Sequence, residues 1–386
     1  MLKHIQEQNI NQMKVRIMNK KAFNIAKFIC ILSIFILLAS CAPIIAPSED
    51  VVKSNKSENS HQQNIIPQGQ LLWQYKISGE VNSAPIYYNN RIFAASKDGV
   101  LYALKANSGA CEWKYKTDSA ITNSSPVVYG NQIYIGGENG KLYAISVNTG
   151  DAEWYYQTKA PIHSTPEVRD GRVYYGSRDR QIYSVSIITG TPDWIFKTSG
   201  PIDSSPTVAG DSLYIGSYDG YLYAININNG KKLWEYKTDG AILAKPVVID
   251  NVVYIGSTDK NLYAIDAQSG NKIWVKKLSG IISSAITSYN NQIFVGDGQG
   301  RVYALNSKDG SLLWEYITSG AILAAPVSSS GIVYVPSGDS NLYALDALTG
   351  KELWKFNTSG PIFSSPIIND GIVYFGSGDG YVYALK

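Results

Sequence analysis

Eight tryptophans, Trp73, Trp113, Trp154, Trp194, Trp234, Trp274, Trp314 and Trp354, recur at spacings of 40, 41, 40, 40, 40, 40 and 40 residues. A glycine stands four residues before each, from Gly69 to Gly350, and a tyrosine keeps the same period at 102, 143, 183, 223, 263, 303, 343 and 383. Three residue types held in register over eight copies define an internal repeat. A unit this short cannot bury its own apolar face and must stack on its neighbours. In the unit that follows Gly240, the pattern predicts four short strands at 242–249, 252–256, 262–266 and 272–276. They are joined by Asp250-Asn251, Ser257-Thr258-Asp259-Lys260 and Gln268-Ser269-Gly270-Asn271, all turn-forming residues. Four antiparallel strands in such a unit are the signature of a propeller blade. Pro246 falls in the first strand, and a residue that cannot donate to a ladder belongs at an edge, here the edge facing the central channel.

The last unit supplies three strands, up to Lys386, whereas Gly69-Gln70-Leu71-Leu72-Trp73-Gln74-Tyr75 reads as an isolated fourth strand. Paired, they make an eighth blade. The expected fold is therefore all-β: an eight-bladed propeller over residues 69–386, its four-stranded antiparallel blades closed by pairing the N-terminal strand with the C-terminal blade. Closure removes the free edges that an open array leaves for aggregation, and a closed ring favours a monomer. The tryptophans are expected to dock between neighbouring blades as a skeleton, not to stack on bases.

Upstream of the repeats, Lys14, Arg16, Lys20, Lys21 and Lys27 precede an apolar run over residues 28–39. That run is short for a bilayer span and suits the hydrophobic region of an export signal. Met18 opens directly onto it and makes a more typical start than Met1. The run ends in Leu38-Ala39-Ser40-Cys41, which resembles the lipobox of bacterial lipoproteins. The expectation is a signal peptide at 1–40, lipidation of Cys41, and a polar linker at 41–68 ahead of the propeller. An uncleaved anchor and a conventional signal cut nearby are the alternatives. A coil of about 28 residues has an end-to-end distance on the order of 30 Å, enough to stand the ring off a membrane. The formal net charge of +3 belongs to the N-terminus, because residues 42–386 hold 28 basic and 30 acidic residues. A body so nearly neutral has no electrostatic footprint for nucleic acid.

The stretch Ala344-Leu345-Asp346-Ala347-Leu348-Thr349-Gly350-Lys351-Glu352-Leu353-Trp354 resembles the tryptophan-docking repeat of quinoprotein propellers, the class named for pyrroloquinoline quinone (PQQ). Residues 264–274, with Asp266, Ser269 and Gly270, are similar. The resemblance covers all eight units, although the signature aspartate stands only at 266 and 346. Lys105, Ser146, Ser186, Asn226, Asn306 and Lys386 replace it elsewhere. Joined to the lipobox, it makes the chain similar to the BamB family, the propeller lipoproteins of the outer-membrane β-barrel assembly machinery. That resemblance implies a non-catalytic scaffold, lipid-anchored in the cell envelope, with a barrel-assembly component among its protein partners. Its location would be the periplasmic face of the outer membrane, or the outer face of the cytoplasmic membrane in a host without one. An envelope sensor or solute-binding propeller and a PQQ-dependent dehydrogenase are the alternatives on the same fold.

Chemistry-bearing residues are sparse. Of three histidines only His163 lies in the repeats, so no histidine-rich metal site is expected, and a Ser-His-Asp triad would need that residue. The cysteines are Cys30, Cys41 and Cys111, with no C-x-x-C and none of the adjacent pairs that many quinoprotein alcohol dehydrogenases place against their cofactor. Those enzymes also carry long insertions bearing metal ligands, and here unit length varies by one residue. Asp98, Asp179, Asp219, Asp259, Asp339 and Asp379 recur in Ser-x-Asp turns, where the carboxylate caps the turn and does not converge on calcium. No catalytic residue, metal or cofactor is expected. The units differ most just after the Ile or Val that opens the first strand. That position reads Asn82, Asn123, His163, Asp203, Leu243, Ser283, Leu323 and Phe363, polar over one half of the ring and mostly apolar over the other. These residues are expected to face the channel mouth as the candidate site for a peptide, partner loop or small ligand. Arg169, Arg172, Arg178 and Arg180 read as the densest basic patch of the body.

Overall fold

The computed structural model describes residues 67–386. The expected signal peptide, Cys41 and the expected linker through residue 66 lie outside the described residues. Every regular element described is a strand, thirty-two in all, arranged in eight four-stranded antiparallel sheets. Seven blades are continuous, over residues 86–116, 127–157, 167–197, 207–237, 247–277, 287–317 and 327–357, and we number them one to seven. Each runs inner, second, third and outer strand in chain order. The second and third strands are buried on both faces, as in Val252–Gly256 and Asn261–Asp266, which is why they read as continuous apolar runs. The outer strands alternate, as in Lys232–Lys237, because only one face meets a neighbour. Inner and second strands turn tightly, for example at Asn89 and Asn90, whose φ angles of 49° and 58° suit a hairpin turn of primed type.

The eighth blade is the composite expected from the ends. Leu71–Lys76 is its outer strand, beside Tyr381–Leu385, Ile372–Gly376 and Ile367–Asn369. The register runs from Leu71 opposite Leu385 to Lys76 opposite Tyr381. Gln70 and Lys386 exchange both backbone hydrogen bonds at 2.8 Å.

One boundary differs from the sequence reading by more than a residue. The inner strand of blade five is Val247–Ile249, not 242–249, and Pro246 lies just before it. The preceding residues bond to the neighbouring blade instead of to a ladder. Ile242 packs on Gly216 of blade four, where an added Cβ would lie 2.2 Å from its Cγ2. Its N–H donates to Ser217 at 3.1 Å, and the Ser204 hydroxyl donates to the Ala244 carbonyl at 2.8 Å. Pro246 has no N–H with which to extend the ladder inward.

The three sequence registers are two repeated contacts. Each indole N–H donates to a backbone carbonyl of the next blade, from Trp73 to Ala106 at 2.8 Å through Trp314 to Ala347 at 3.0 Å. The glycine four residues before the next tryptophan lies flat under the same indole: a Cβ on Gly109, which sits at φ 69°, would be 2.6 Å from Trp73 Cε3. Burying such a ring removes about 150–250 Å² of apolar surface, an upper bound of roughly 4–6 kcal/mol. In five blades the repeated tyrosine donates its hydroxyl to the aspartate four residues earlier, as in Tyr183 to Asp179 at 2.7 Å and Tyr343 to Asp339 at 2.8 Å. The core is accordingly divided into clusters that each straddle two blades, such as Tyr254, Leu262, Trp274, Ile282, Ile293 and Tyr303.

Candidate functional site

Between the outer strand of one blade and the inner strand of the next, the chain crosses the end of the channel in a short incoming loop. Asn82, Asn123, His163, Asp203, Leu243, Ser283, Leu323 and Phe363 sit one in each loop and all line a single cavity of about 700 Å³. One residue from every blade puts that cavity on the ring axis, at the mouth. Buried serines hold the loops down: Ser124 accepts from Gly136 N–H at 2.9 Å and donates to the Ser164 carbonyl at 3.1 Å. Loop hydroxyls form part of a belt, with Ser125 N–H donating to Thr165 and Thr165 N–H to Ser205, each at 2.9 Å.

A second ring of residues, which sequence reasoning missed, stands beside the first. It is the middle residue of the turn between second and third strands: Lys97, Glu138, Arg178, Tyr218, Thr258, Gly298, Gly338 and Gly378. In every blade its backbone N–H donates to a carbonyl of the incoming loop, from Lys97 to Glu80 at 2.8 Å to Gly378 to Pro361 at 2.8 Å. The signal was present in the Ser-x-Asp turns, whose variable x is this position. It is long and polar over blades one to four and small over most of the rest, the same division that the first ring shows.

The two rings interlock over blades two to four. Glu138 Oε1 lies 2.9 Å from His163 Nε2, and His163 Nδ1 lies 3.2 Å from Asp203 Oδ1. Arg178 grips both oxygens of Asp203, Nε and Nη2 each at 2.9 Å. The Tyr218 hydroxyl donates to Asp203 at 2.8 Å, and the Thr122 hydroxyl donates to Glu138. Thr122 belongs to the one place where the repeat gains a residue, since Thr117 to Pro126 is one longer than Ile77 to Pro85. Burial alone would raise the Asp203 carboxyl, but His163, Arg178 and Tyr218 hold it well below the usual carboxylate range. Glu138 is likewise pushed up by burial and brought below its ordinary value by Thr122 and His163. Burial opposes a charge on His163, and the Asp203 and Glu138 carboxylates override it, raising its pKa.

The opposite side is apolar, with Leu243, Leu323, Phe363, Ile367, Ala285 and Ala325 lining the cavity. Lys245, also on the wall, reaches Glu167 of blade three at 3.0 Å. The four arginines do not form one basic patch. Arg172 and Arg178 stand at opposite ends of the strand Arg172–Ser177, so two lie at the mouth end and two at the far end. Three of them face carboxylates: Arg169 with Asp170, Arg172 with Asp193 and Arg178 with Asp203. Cys111 is exposed on the outer strand of blade one, away from the mouth.

Residues 171–386 match the family described as the beta-propeller of beta-alanine-activating enzyme, and the chain belongs to that propeller family. Residues 65–161 match the family described as outer membrane protein assembly factor BamB. The assembly factor BamB of Taylorella asinigenitalis (strain MCE3) is 31% identical over 98 residues, 25% of this chain and 24% of that protein. The chain thus spans about a quarter of the length of that curated relative. Crystalline BamB from Moraxella catarrhalis superposes with a TM-score of 0.72 at 21% identity, covering 82% of this chain and 97% of that one. Quinohemoprotein alcohol dehydrogenase from Comamonas testosteroni gives 0.71 at 14% identity, covering 83% and 76%. At these identities the structural likeness is one of fold, that of a BamB-like propeller of PQQ-type repeats.

The dehydrogenase likeness raises the question of a quinone cofactor, which carries several carboxylates and needs cations to meet them. On this cavity Arg178, His163 and Lys245 each already face a protein carboxylate. Among the described residues no three His, Cys, Asp or Glu side chains are placed to hold a metal ion. The mouth does not fit that cofactor.

Proposed function

We propose that the chain is a non-catalytic scaffold of the cell envelope, tethered through a lipid on Cys41, whose channel mouth holds a partner protein of outer-membrane β-barrel assembly. The observation that carries this reading is the division of the mouth. An Arg178–Tyr218 pair, both residues bonded to the Asp203 carboxylate, shares the cavity with an apolar wall of Leu243, Leu323 and Phe363. Tyrosine and arginine beside an apolar surface is the composition that protein interfaces concentrate at their centres. The quarter-length similarity to the Taylorella assembly factor supports barrel assembly as the setting. In this reading residues 1–40 are removed, residues 41–68 are the tether, and the propeller works as a monomer with no cofactor.

The test is a mild-crosslinking pull-down of the lipidated protein from its native membranes. Recovery of an outer-membrane barrel component supports the scaffold; recovery of a transporter, a kinase or nothing overturns it. A second reading, an envelope solute-binding module, draws on the cavity of about 700 Å³, a volume within the range of small-molecule sites. A solute that raises the melting temperature of wild type but not of a Leu243→Asp variant would favour it.

A further inference from the structure

We propose that the mouth is proton-controlled: His163, set between carboxylates of the two blades that flank its own, ties blade two to blades three and four when protonated and releases blade two when neutral. The inference rests on the reading of the mouth as the partner site, and it supplies that site's regulation.

The geometry favours a proton. His163 Nε2 hydrogen-bonds Glu138 at 2.9 Å, Nδ1 lies 3.2 Å from Asp203 Oδ1 as a charge contact outside hydrogen-bond alignment, and the side chain is 9% exposed. A neutral imidazole has one N–H and one lone pair, so one nitrogen would then turn its lone pair toward an anion; only the imidazolium places a positive N–H beside both carboxylates. The groups facing it are Glu138 and Thr122 from blade two, Arg178 from blade three, and Asp203 and Tyr218 from blade four. With His163 charged, two cations balance two carboxylates. With His163 neutral, Arg178 stays on Asp203, and Glu138 is left with the Thr122 hydroxyl and an imidazole that no longer pairs with its charge. The link between blades two and three is lost, and that side of the mouth gains one negative charge. Burial works against the proton and the two carboxylates outweigh it, so the net shift is upward. The corresponding pairs in the apolar half, such as Gly298 with Leu323 and Gly338 with Phe363, do not titrate, so the change is confined to one side.

The sequence holds three histidines, His4, His61 and His163, so carbon-13 NMR of labelled imidazoles reads the device directly on the full processed protein. His163 is assigned by its absence in His163→Gln. The expected result is that His163 titrates at higher pH than His61. Amide exchange over residues 120–124 and 202–205, corrected for intrinsic rates, should quicken several-fold through the same transition. Glu138→Gln, which keeps the hydrogen bond but removes the charge, should lower the His163 midpoint while leaving the fold intact. A His163 that titrates with or below His61 overturns the proposal, as does an exchange step that persists in His163→Gln. Both readouts use the protein without a partner, so their failure leaves the partner reading standing, and a failed pull-down leaves the device standing.

Discussion

The indole of Trp354 donates to the carbonyl of Pro67 at 2.7 Å, joining residues 287 positions apart in the chain. It is the same contact that every other tryptophan makes with the next blade, completed here by the first described residue. Gly69 lies under that indole just as Gly109 lies under Trp73. Ring closure is thus a full blade interface and not a weak seam. Deleting residues 67–77 removes an outer strand, the floor of Trp354 and the partners of Tyr381–Leu385. The expected product aggregates or is cut by protease at concentrations where the intact ring is not. A soluble truncate with an unchanged melting temperature would refute closure as a source of stability.

Substituting glycines separates close packing from backbone strain. Gly109 and Gly130 both sit at positive φ, 69° and 60°, but a Cβ on Gly109 would strike Trp73, whereas one on Gly130 meets nothing within 4 Å. Gly130→Ala should cost about 1 kcal/mol for the left-handed backbone alone. Gly109→Ala should cost about 2–3 kcal/mol more, the scale of overpacking. Denaturant unfolding of the two variants measures the difference.

Blade six keeps its carboxylate in an unusual place, which makes it a test of buried charge. Asp297 is fully buried and accepts from the N–H groups of Gly280, Gln299 and Arg301 and from the Tyr303 hydroxyl, at 2.8 to 3.1 Å. Asp297→Ala leaves four donors unmet and should cost about 3–5 kcal/mol. Asp259→Ala in blade five, at a partly exposed turn, should cost about 1–2 kcal/mol. Equal losses would show that burial of the blade-six carboxylate adds nothing.

These two aspartates also mark where sequence reading stopped. The tryptophan and glycine registers were legible because together they stand for one contact repeated at a fixed offset, and the tyrosine register because the residue itself keeps its place. So was the first mouth ring, which varies at a single aligned position. The Tyr–carboxylate pair is kept in space while its acid moves in sequence: Tyr263 uses Asp259, Tyr303 uses Asp297, and Tyr143 uses Asp118. A search at fixed spacing finds the first and misses the others. Glu138 and His163 are 25 residues apart on different blades, and only the incoming loops bring them together. The arginines erred in the opposite direction, because Arg172 and Arg178 are near in sequence but one strand length apart in space. The first strand was overextended for a related reason: Ile242 has strand character but packs onto the neighbouring blade.

The charged cluster sets a pH window for stability. His163 has a raised pKa, so its contribution is complete below the ordinary histidine value near ~6.5 and is lost as pH rises through the folded value. Asp203 and Glu138 have lowered pKa values, so theirs are complete above the ordinary carboxylate values near ~4 and are lost as pH falls through the folded values. All three contribute together at about pH 5–6. His163→Gln should therefore cost about 2 kcal/mol at pH 5.5 and distinctly less at pH 8.5. Thermal melts of both proteins at the two pH values check this, and a penalty that grows with pH would contradict it.

The claim that the mouth is the working surface is tested most directly by site-specific photocrosslinking in intact cells. The crosslinking residue is placed at Asn123 or Leu243 on the cavity and, separately, at Tyr155 on the outer strand of blade two, which is 57% exposed. The account predicts an adduct with a barrel-assembly component from positions 123 and 243 and none from 155. An adduct with that component from 155 alone, or mouth positions that capture no envelope protein, would contradict it.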